Sequence, residues 1–158
     1  MMDIRAATPA DMPQLVQLIA GMAAHLGDSA QADAASLHRD VFGPYAFATV
    51  LLARDLGAGA QLESDVLGYA LVLPLMRAHL GQRGMDLHHL FVREDARGAG
   101  IGTALLREVR AHALARGCSY LTVSTQESAA EARDFYVQRG FIHAPPAPWR
   151  FAMDLSRG

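Results

Sequence analysis

Ile4 and Ala6 alternate with Asp3 and Arg5 over residues 2–7, which predicts a short strand with one buried face. Thr8-Pro9-Ala10-Asp11 then reads as a helix start, with an N-cap hydroxyl, proline at the first helical position and an acid in the first turn. Met12, Leu15, Ile19, Met22 and Leu26 follow at three- and four-residue steps, an apolar stripe that Gly27 closes. Residues 31–42 predict a second helix ended by Gly43-Pro44. Strands are expected over 47–53 and 66–76, an antiparallel pair joined by a turn containing Gly57 and Gly59, with Pro74 confining the end of the second to an edge or bulge. Residues 77–84 read as a loop with Arg77, His79 and Arg83 in solvent. An apolar strand from Leu87 ends at Leu90-Phe91-Val92. Ile101, Leu105, Val109 and Ala113 then mark a helical face that Gly117 ends. A strand over 120–124, a helix over 131–139 capped by Gly140, the interruption Pro145-Pro146-Ala147-Pro148 and a closing strand over 149–155 complete the chain. The order β, α, α, β, β, β, α, β, α, β predicts a mixed α/β layer; no linker divides it, so one domain over 1–158 is expected.

Half of the 158 residues are apolar, enough for a core of ordinary size, and the formal charge of −2 supplies no broad basic field, so nucleic acid is not expected as the main partner. Cys118 is the only cysteine, which excludes an internal disulfide, fits a reducing cytoplasm and suits a small buried residue. With Asp3 and Asp11 in the first dozen residues and no apolar run of about 18, neither a leader nor a membrane span is expected.

The chemistry concentrates in 87–106, LHHLFVREDARGAGIGTALL, where a strand passes through a charged turn and a glycine-rich loop into a helix. Gly98, Gly100 and Gly102 permit positive φ and close ligand approach, and a helix start presents unpaired N–H groups with about half a positive charge. Such a loop suits a phosphate or pyrophosphate. It is not a Walker loop, since Thr103-Ala104 follows Gly102 and no lysine is available. Nor is it a dinucleotide fingerprint, since the sixth position counted from Gly98 is Thr103 and the loop lies two-thirds of the way along the chain. Asp86 and His88 stand two apart on a strand and so share a face, whereas alternation turns His89 to the other face; adjacent strand histidines make a poor metal pair, and no metal is expected.

Arg97-Gly98-Ala99-Gly100-Ile101-Gly102 resembles the Arg/Gln-x-x-Gly-x-Gly/Ala signature of the GNAT superfamily of acetyl-CoA-dependent N-acetyltransferases. Leu90-Phe91-Val92 resembles that family's preceding strand, and Phe135-Tyr136-Val137-Gln138-Arg139-Gly140-Phe141 its later Phe-Tyr-x-x-x-Gly-Phe element. The motifs cover about residues 86–141. The resemblance implies the GNAT fold, a mixed central sheet of about six to seven strands flanked by about four helices, and transfer of an acetyl group from acetyl-CoA to a primary amine by direct attack through a tetrahedral intermediate. It implies further that the amides from Gly98 through Ala99, Gly100, Ile101 and Gly102 to Thr103 grip the pyrophosphate with Arg97 adding charge, and that the pantetheine arm lies along Leu90, Phe91 and Val92. The Val92 N–H then polarises the thioester carbonyl, a contact of a type often worth about 3 kcal/mol. Tyr136 matches the tyrosine used as general acid or as a contact to the CoA sulfur, and Phe135 beside it packs in the core. Ala129 stands where many relatives carry an asparagine that contacts the cofactor.

An amine of pKa about 10.4 must shed a proton before it can attack, about 4.6 kcal/mol uphill at pH 7, so a base near pH 6 to 7 is useful. By the same resemblance His88 is the first choice and Asp86 the second choice or helper. The run from Gly68-Tyr69-Ala70-Leu71 onward is most similar to the spermidine/spermine N-acetyltransferase-like branch, which tends to carry acids where this chain has His88 and His89. The acceptor stays open between a polyamine-like amine, another small amine, an amino acid derivative and a protein or peptide amino group. A homodimer is implied by the branch. The competing readings are a non-catalytic acyl-CoA-binding sensor or partner-binding module, and an unrelated protein with a phosphate-bearing ligand.

Overall fold

The computed structural model describes residues 1–57, 65–126, 128–143 and 153–157. They belong to two compact units, 1–124 and 125–158.

In the first unit one sheet holds β1 (Met2–Ala6), β2 (Thr49–Asp55), β3 (Val66–Arg77), β4 (Gln82–Val92) and β5 (Tyr120–Val123), in that spatial order. β1 to β4 are antiparallel neighbours, and β5 joins β4 in parallel. The fold is the expected GNAT-type α/β arrangement, with five strands among the described residues in place of six to seven. The expected strand over 149–155 falls mainly outside the described residues, and Leu155 at its end begins a 3-10 turn, Leu155–Arg157.

The helices follow the periodicity. α1 (Met12–His25) buries Met12, Leu15, Leu18 and Ile19, and α2 (Ala34–Phe42) buries Leu37 against the same cluster, with Val50, Leu52, Tyr69, Leu71 and Phe91 from the sheet. The opposite parity of β2 and β3, Leu51, Ala53, Ala70 and Val72, is buried on the other face. α3 (Ile101–Ala115) packs across β1 to β4 and buries Ile101, Leu105, Val109 and Ala113 as the spacing requires. Cys118, just after it, is buried and unbridged. The start of α1 differs in detail from expectation. Pro9–Asp11 forms a 3-10 turn with Thr8 as its N-cap residue, and the Thr8 N–H and hydroxyl both donate to Asp11 Oδ2 (2.7 Å each). Asp11 is buried and paired bidentately with Arg5 at 2.8 Å, which holds its carboxyl far below the usual range.

The loop expected over 77–84 is largely strand. β3 continues to Arg77, one 3-10 turn (Ala78–Leu80) and Gly81 at φ 62° reverse the chain, and β4 starts at Gln82. Arg77, His79 and Arg83 are exposed as expected, and the Arg77 guanidinium also lies 4.0 Å from the centre of the Tyr120 ring. The hairpin reaches past β2, which pairs with β3 up to Val72, so among the described residues Pro74 falls on a stretch with a strand partner on one side.

The second unit contains α4 (Ala130–Val137), close to the predicted helix, with Gly140 at φ 88° turning the chain so that the Phe141 N–H returns to the Tyr136 carbonyl at 3.1 Å.

Candidate active site

β4 and β5 run together from Gly84↔Tyr120 to Leu87↔Val123, after which, among the described residues, β4 continues without a strand partner on that side to Val92. The direction of its amides follows from one hydrogen bond. Arg93 N–H donates to Leu67 O of β3 at 2.9 Å, so by strand alternation the N–H and C=O of Val92, and likewise those of Leu90, face away from β3 toward the edge that β5 has left. Consistently, the Val92 carbonyl accepts from Arg97 Nε at 3.0 Å. Arg97 is exposed and curls back over the strand end, its guanidinium 5.8 Å from the Phe91 ring centre.

Between Arg97 and α3 the backbone uses left-handed geometry twice, at Gly98 (φ 81°) and Gly100 (φ 77°), with no heavy atom within 4 Å of where a Cβ would sit at either. Gly102 does not share this role. It lies in the first turn of α3, so its expected positive φ is corrected to ordinary helical geometry. Gly100 is the N-cap residue, and the first N–H in the helical ladder is that of Ala104, donating to Gly100 O at 3.0 Å. The amides of Ile101 and Gly102 precede it, in the first turn, where a helix has no internal acceptor to offer. The β4 edge, the loop and the start of α3 follow one another along the chain and carry backbone polar groups of the kind that suit a pyrophosphate with an extended amide-bearing arm.

Four residues upstream of Val92 the strand departs from alternation. Leu71 pairs with His89 and Val72 with Leu87, so His88 is an extra residue on β4, a bulge. The bulge keeps Asp86, opposite Leu73, and Phe91, opposite Tyr69, on the same sheet face although their spacing is odd. It also overturns the expected separation of the two histidines. Their rings stack, with centroids 4.6 Å apart and planes 18° from parallel. His88 is exposed, its Nδ1 3.8 Å from Asp86 Oδ2, and Asp86 Oδ1 accepts from Thr122 Oγ1 at 2.7 Å. His89 is half-buried, with Nδ1 3.0 Å from the Tyr69 hydroxyl. Burial first, and the neighbouring His88 second, push the His89 imidazole down to about 4, so it is neutral at pH 7. Tyr69 has no exposed surface; burial raises its phenol, whose oxygen also lies 3.3 Å from Met22 Sδ.

Tyr136 lies on α4 in the second unit. Its ring meets Phe135 and Phe141 edge-on at 5.2 and 5.4 Å, and burial raises its phenol to about 12. Phe135 is half-buried rather than a core residue, and Arg139 lies 3.7 Å from its ring centre. Ala129, where an asparagine was noted as missing, is the N-cap residue of α4.

Residues 26–141 match the model of the acetyltransferase (GNAT) family. The chain belongs to the GNAT acetyltransferase family. It is 30% identical over 140 residues to a thialysine N-epsilon-acetyltransferase of Bos taurus, covering 87% of this chain and 82% of the relative. Among solved structures, an integron cassette protein from the mobile metagenome of V. cholerae superposes with a TM-score of 0.77 at 22% identity, over 97% of this chain and 93% of that one. An aminoglycoside acetyltransferase from an uncultured soil metagenomic sample, in complex with sisomicin, gives 0.77 at 17% identity over 97% of each chain.

Within this GNAT domain the first unit brings together Asp86 and His88, and lines up Leu90, Val92, Arg97 and the loop to Thr103 along one strand and its exit. Two neighbours of the histidines escaped the sequence reading. Tyr69 carried a usable signal, a lone phenol in the apolar run 66–73, which needs a partner when buried. Thr122 carried none. Among the described residues no group of three His, Cys, Asp or Glu side chains is gathered to hold a metal ion, and no helix is long and apolar enough to cross a membrane.

Proposed function

We propose that this GNAT acetyltransferase transfers the acetyl group of acetyl-CoA to a primary amine of a small molecule, by direct attack and without an acyl-enzyme. The observation that carries this reading is the edge of β4 bared beyond Leu87, which runs from the Asp86–His88 pair to the glycine loop and the start of α3. Bound acetyl-CoA supplies an acetyl thioester. The loop amides from Gly98 to Thr103 hold its pyrophosphate and Arg97 adds charge, while Leu90 and Val92 offer outward N–H groups to the pantetheine arm. The Val92 N–H donates a hydrogen bond to the thioester carbonyl oxygen as negative charge develops there.

His88 takes the proton that the ammonium must lose, and Asp86 stabilises the resulting imidazolium. The amine lone pair then forms the C–N bond as the carbonyl π pair moves onto oxygen. When this tetrahedral intermediate collapses the C–S bond breaks, its electron pair leaves on sulfur, and the second nitrogen proton passes to solvent, leaving a neutral amide. The role of hydrogen-bond donor to that sulfur falls to Tyr136 on family resemblance, and burial keeps its phenol protonated throughout the neutral range. Full proton transfer from a phenol at about 12 to a thiolate of pKa about 8.5 would be uphill by about 5 kcal/mol, so solvent completes the protonation. A small-molecule acceptor is supported by the thialysine acetyltransferase relative and by the sisomicin complex of the aminoglycoside enzyme. A homodimer in the cytoplasm completes the proposal, on family resemblance.

The test is CoA release from acetyl-CoA with a panel of polyamines, thialysine and other amino acids, aminoglycosides and lysine peptides, run on wild type and Tyr136→Phe. Turnover on a small amine, with kcat reduced at least about 10-fold in Tyr136→Phe, is the expected result. Turnover on peptides alone would move the acceptor to protein amines. Acetyl-CoA binding with no turnover would leave a binding module, and no acetyl-CoA binding would overturn the reading.

A further inference from the structure

The two imidazoles are held very unequally. His89 is anchored from below: its Nδ1 lies 3.0 Å from the hydroxyl of Tyr69, whose ring meets it edge-on at 6.0 Å and is itself locked in the core against Phe91. The Tyr69 oxygen lies against Met22 Sδ, so the anchor reaches to α1, packed on the same face of the sheet. His88 is exposed and has two neighbours to orient it, the face of His89 and the carboxylate of Asp86. An exposed imidazole left to itself rotates among several rotamers, and a base must keep its nitrogen within hydrogen-bond reach of the proton it removes.

We propose that His89 is a positioning residue: its ring, fixed by Tyr69, is the platform on which His88 stacks, and this sets the plane of His88 with Nδ1 toward Asp86 and Nε2 toward the acceptor. The bulge makes the device possible, because regular alternation would place the two rings on opposite faces. Chemistry supports a neutral platform. Burial, and the neighbouring imidazole after it, disfavour a proton on His89, so the platform ring stays neutral. The titratable groups meeting the pair are Asp86 and Tyr69.

The inference rests on the assignment of His88 as the base, and the experiment separates the two. With acetyl-CoA and the best amine of the panel, His89→Ala is expected to lower kcat by at least about 10-fold while the KM for acetyl-CoA stays within about twofold, as misplacement of a reacting group does. His89→Phe, which keeps a stacking ring and loses the Tyr69 hydrogen bond, should recover kcat to within about threefold of wild type. Tyr69→Phe should reduce kcat in the wild-type background and have no effect in the His89→Phe background. A readout that needs no turnover is the imidazole NMR spectrum of the substrate-free protein, in which His88 ring signals should move toward those of a freely rotating imidazole in His89→Ala but not in His89→Phe.

Unchanged kcat and unchanged His88 signals in His89→Ala would overturn the proposal, as would His89→Phe behaving like His89→Ala. If His89→Ala does not fold, the Tyr69→Phe and His89→Phe pair decides. Failure of the underlying assignment looks different: His88→Gln would retain kcat, while the His88 signals of the parent protein would still respond to His89→Ala.

Discussion

At His89 burial works against charge, and stability must follow. The folded imidazole titrates at about 4 and an unfolded one near 6.5, so on acidification the unfolded chain takes up a proton that the native site refuses. The contribution is present above pH 6.5 and is lost as pH falls from 6.5 to about 4. The gap corresponds to at most about 3 kcal/mol, and the ring's partial exposure reduces this to about 1 to 2 kcal/mol. Denaturant midpoints measured between pH 7 and 4 should fall less steeply in His89→Gln than in wild type; the comparison cancels His112, which is also lowered by burial. Gly100 makes a second residue-scale prediction. A Cβ there meets nothing within 4 Å, so the penalty of Gly100→Ala is conformational, about 1 to 2 kcal/mol for an alanine at φ 77°. Relief of that strain would move the loop amides, so the KM for acetyl-CoA should rise at least about 10-fold with little change in kcat at saturation. Equal KM values in a CoA-release assay would detach the loop from the cofactor.

The pairing of β4 with β5 is short, and its first rung is tightly constrained. A Cβ on Gly84 would lie 2.1 Å from Cζ of Tyr120, the same ring that carries Arg77. Gly84→Ala is therefore expected to cost about 2 kcal/mol in thermal or denaturant unfolding, as overpacking does, and Tyr120→Ser in the same chain should recover part of it. At this scale the sequence was informative where one rule acted alone. The apolar steps of Met12 to Leu26 and of Ile101 to Ala113 placed α1 and α3, and Gly27, Gly117 and Gly140 placed helix ends, each at positive φ. It was uninformative where pairing decides. Residues 77–84 carry loop-like charges and glycines, yet they extend a hairpin because each strand supplies the other's ladder. The bulge at His88 has no local signature either, since an extra residue is defined only against the partner strand. That is why Asp86 and His88 were placed together correctly and His89 was placed on the wrong face.

For the molecule as a whole, binding and folding share one balance. A ligand that grips the loop, the bared β4 edge and the start of α3 holds only the folded chain. Acetyl-CoA at 100 times its dissociation constant should add about 2.7 kcal/mol, or about 5 to 10 °C in melting temperature for a chain of this size. Free CoA should give a similar shift, because the groups proposed to grip it are mostly those of the pyrophosphate and the arm. No shift with either in a thermal unfolding assay would count against the bared edge as the binding surface. The long β3–β4 hairpin bears on solubility. Past Val72 it presents a strand edge with exposed Leu75 and Met76, and Leu80 at its tip, the kind of surface on which copies of a protein add to one another as strands. Pro74 sits in that edge without a backbone donor, so a neighbouring copy finds the ladder broken at its first outward-facing residue past Val72. The hairpin can thus be long enough to carry β4 beyond the sheet without becoming a seed for aggregation.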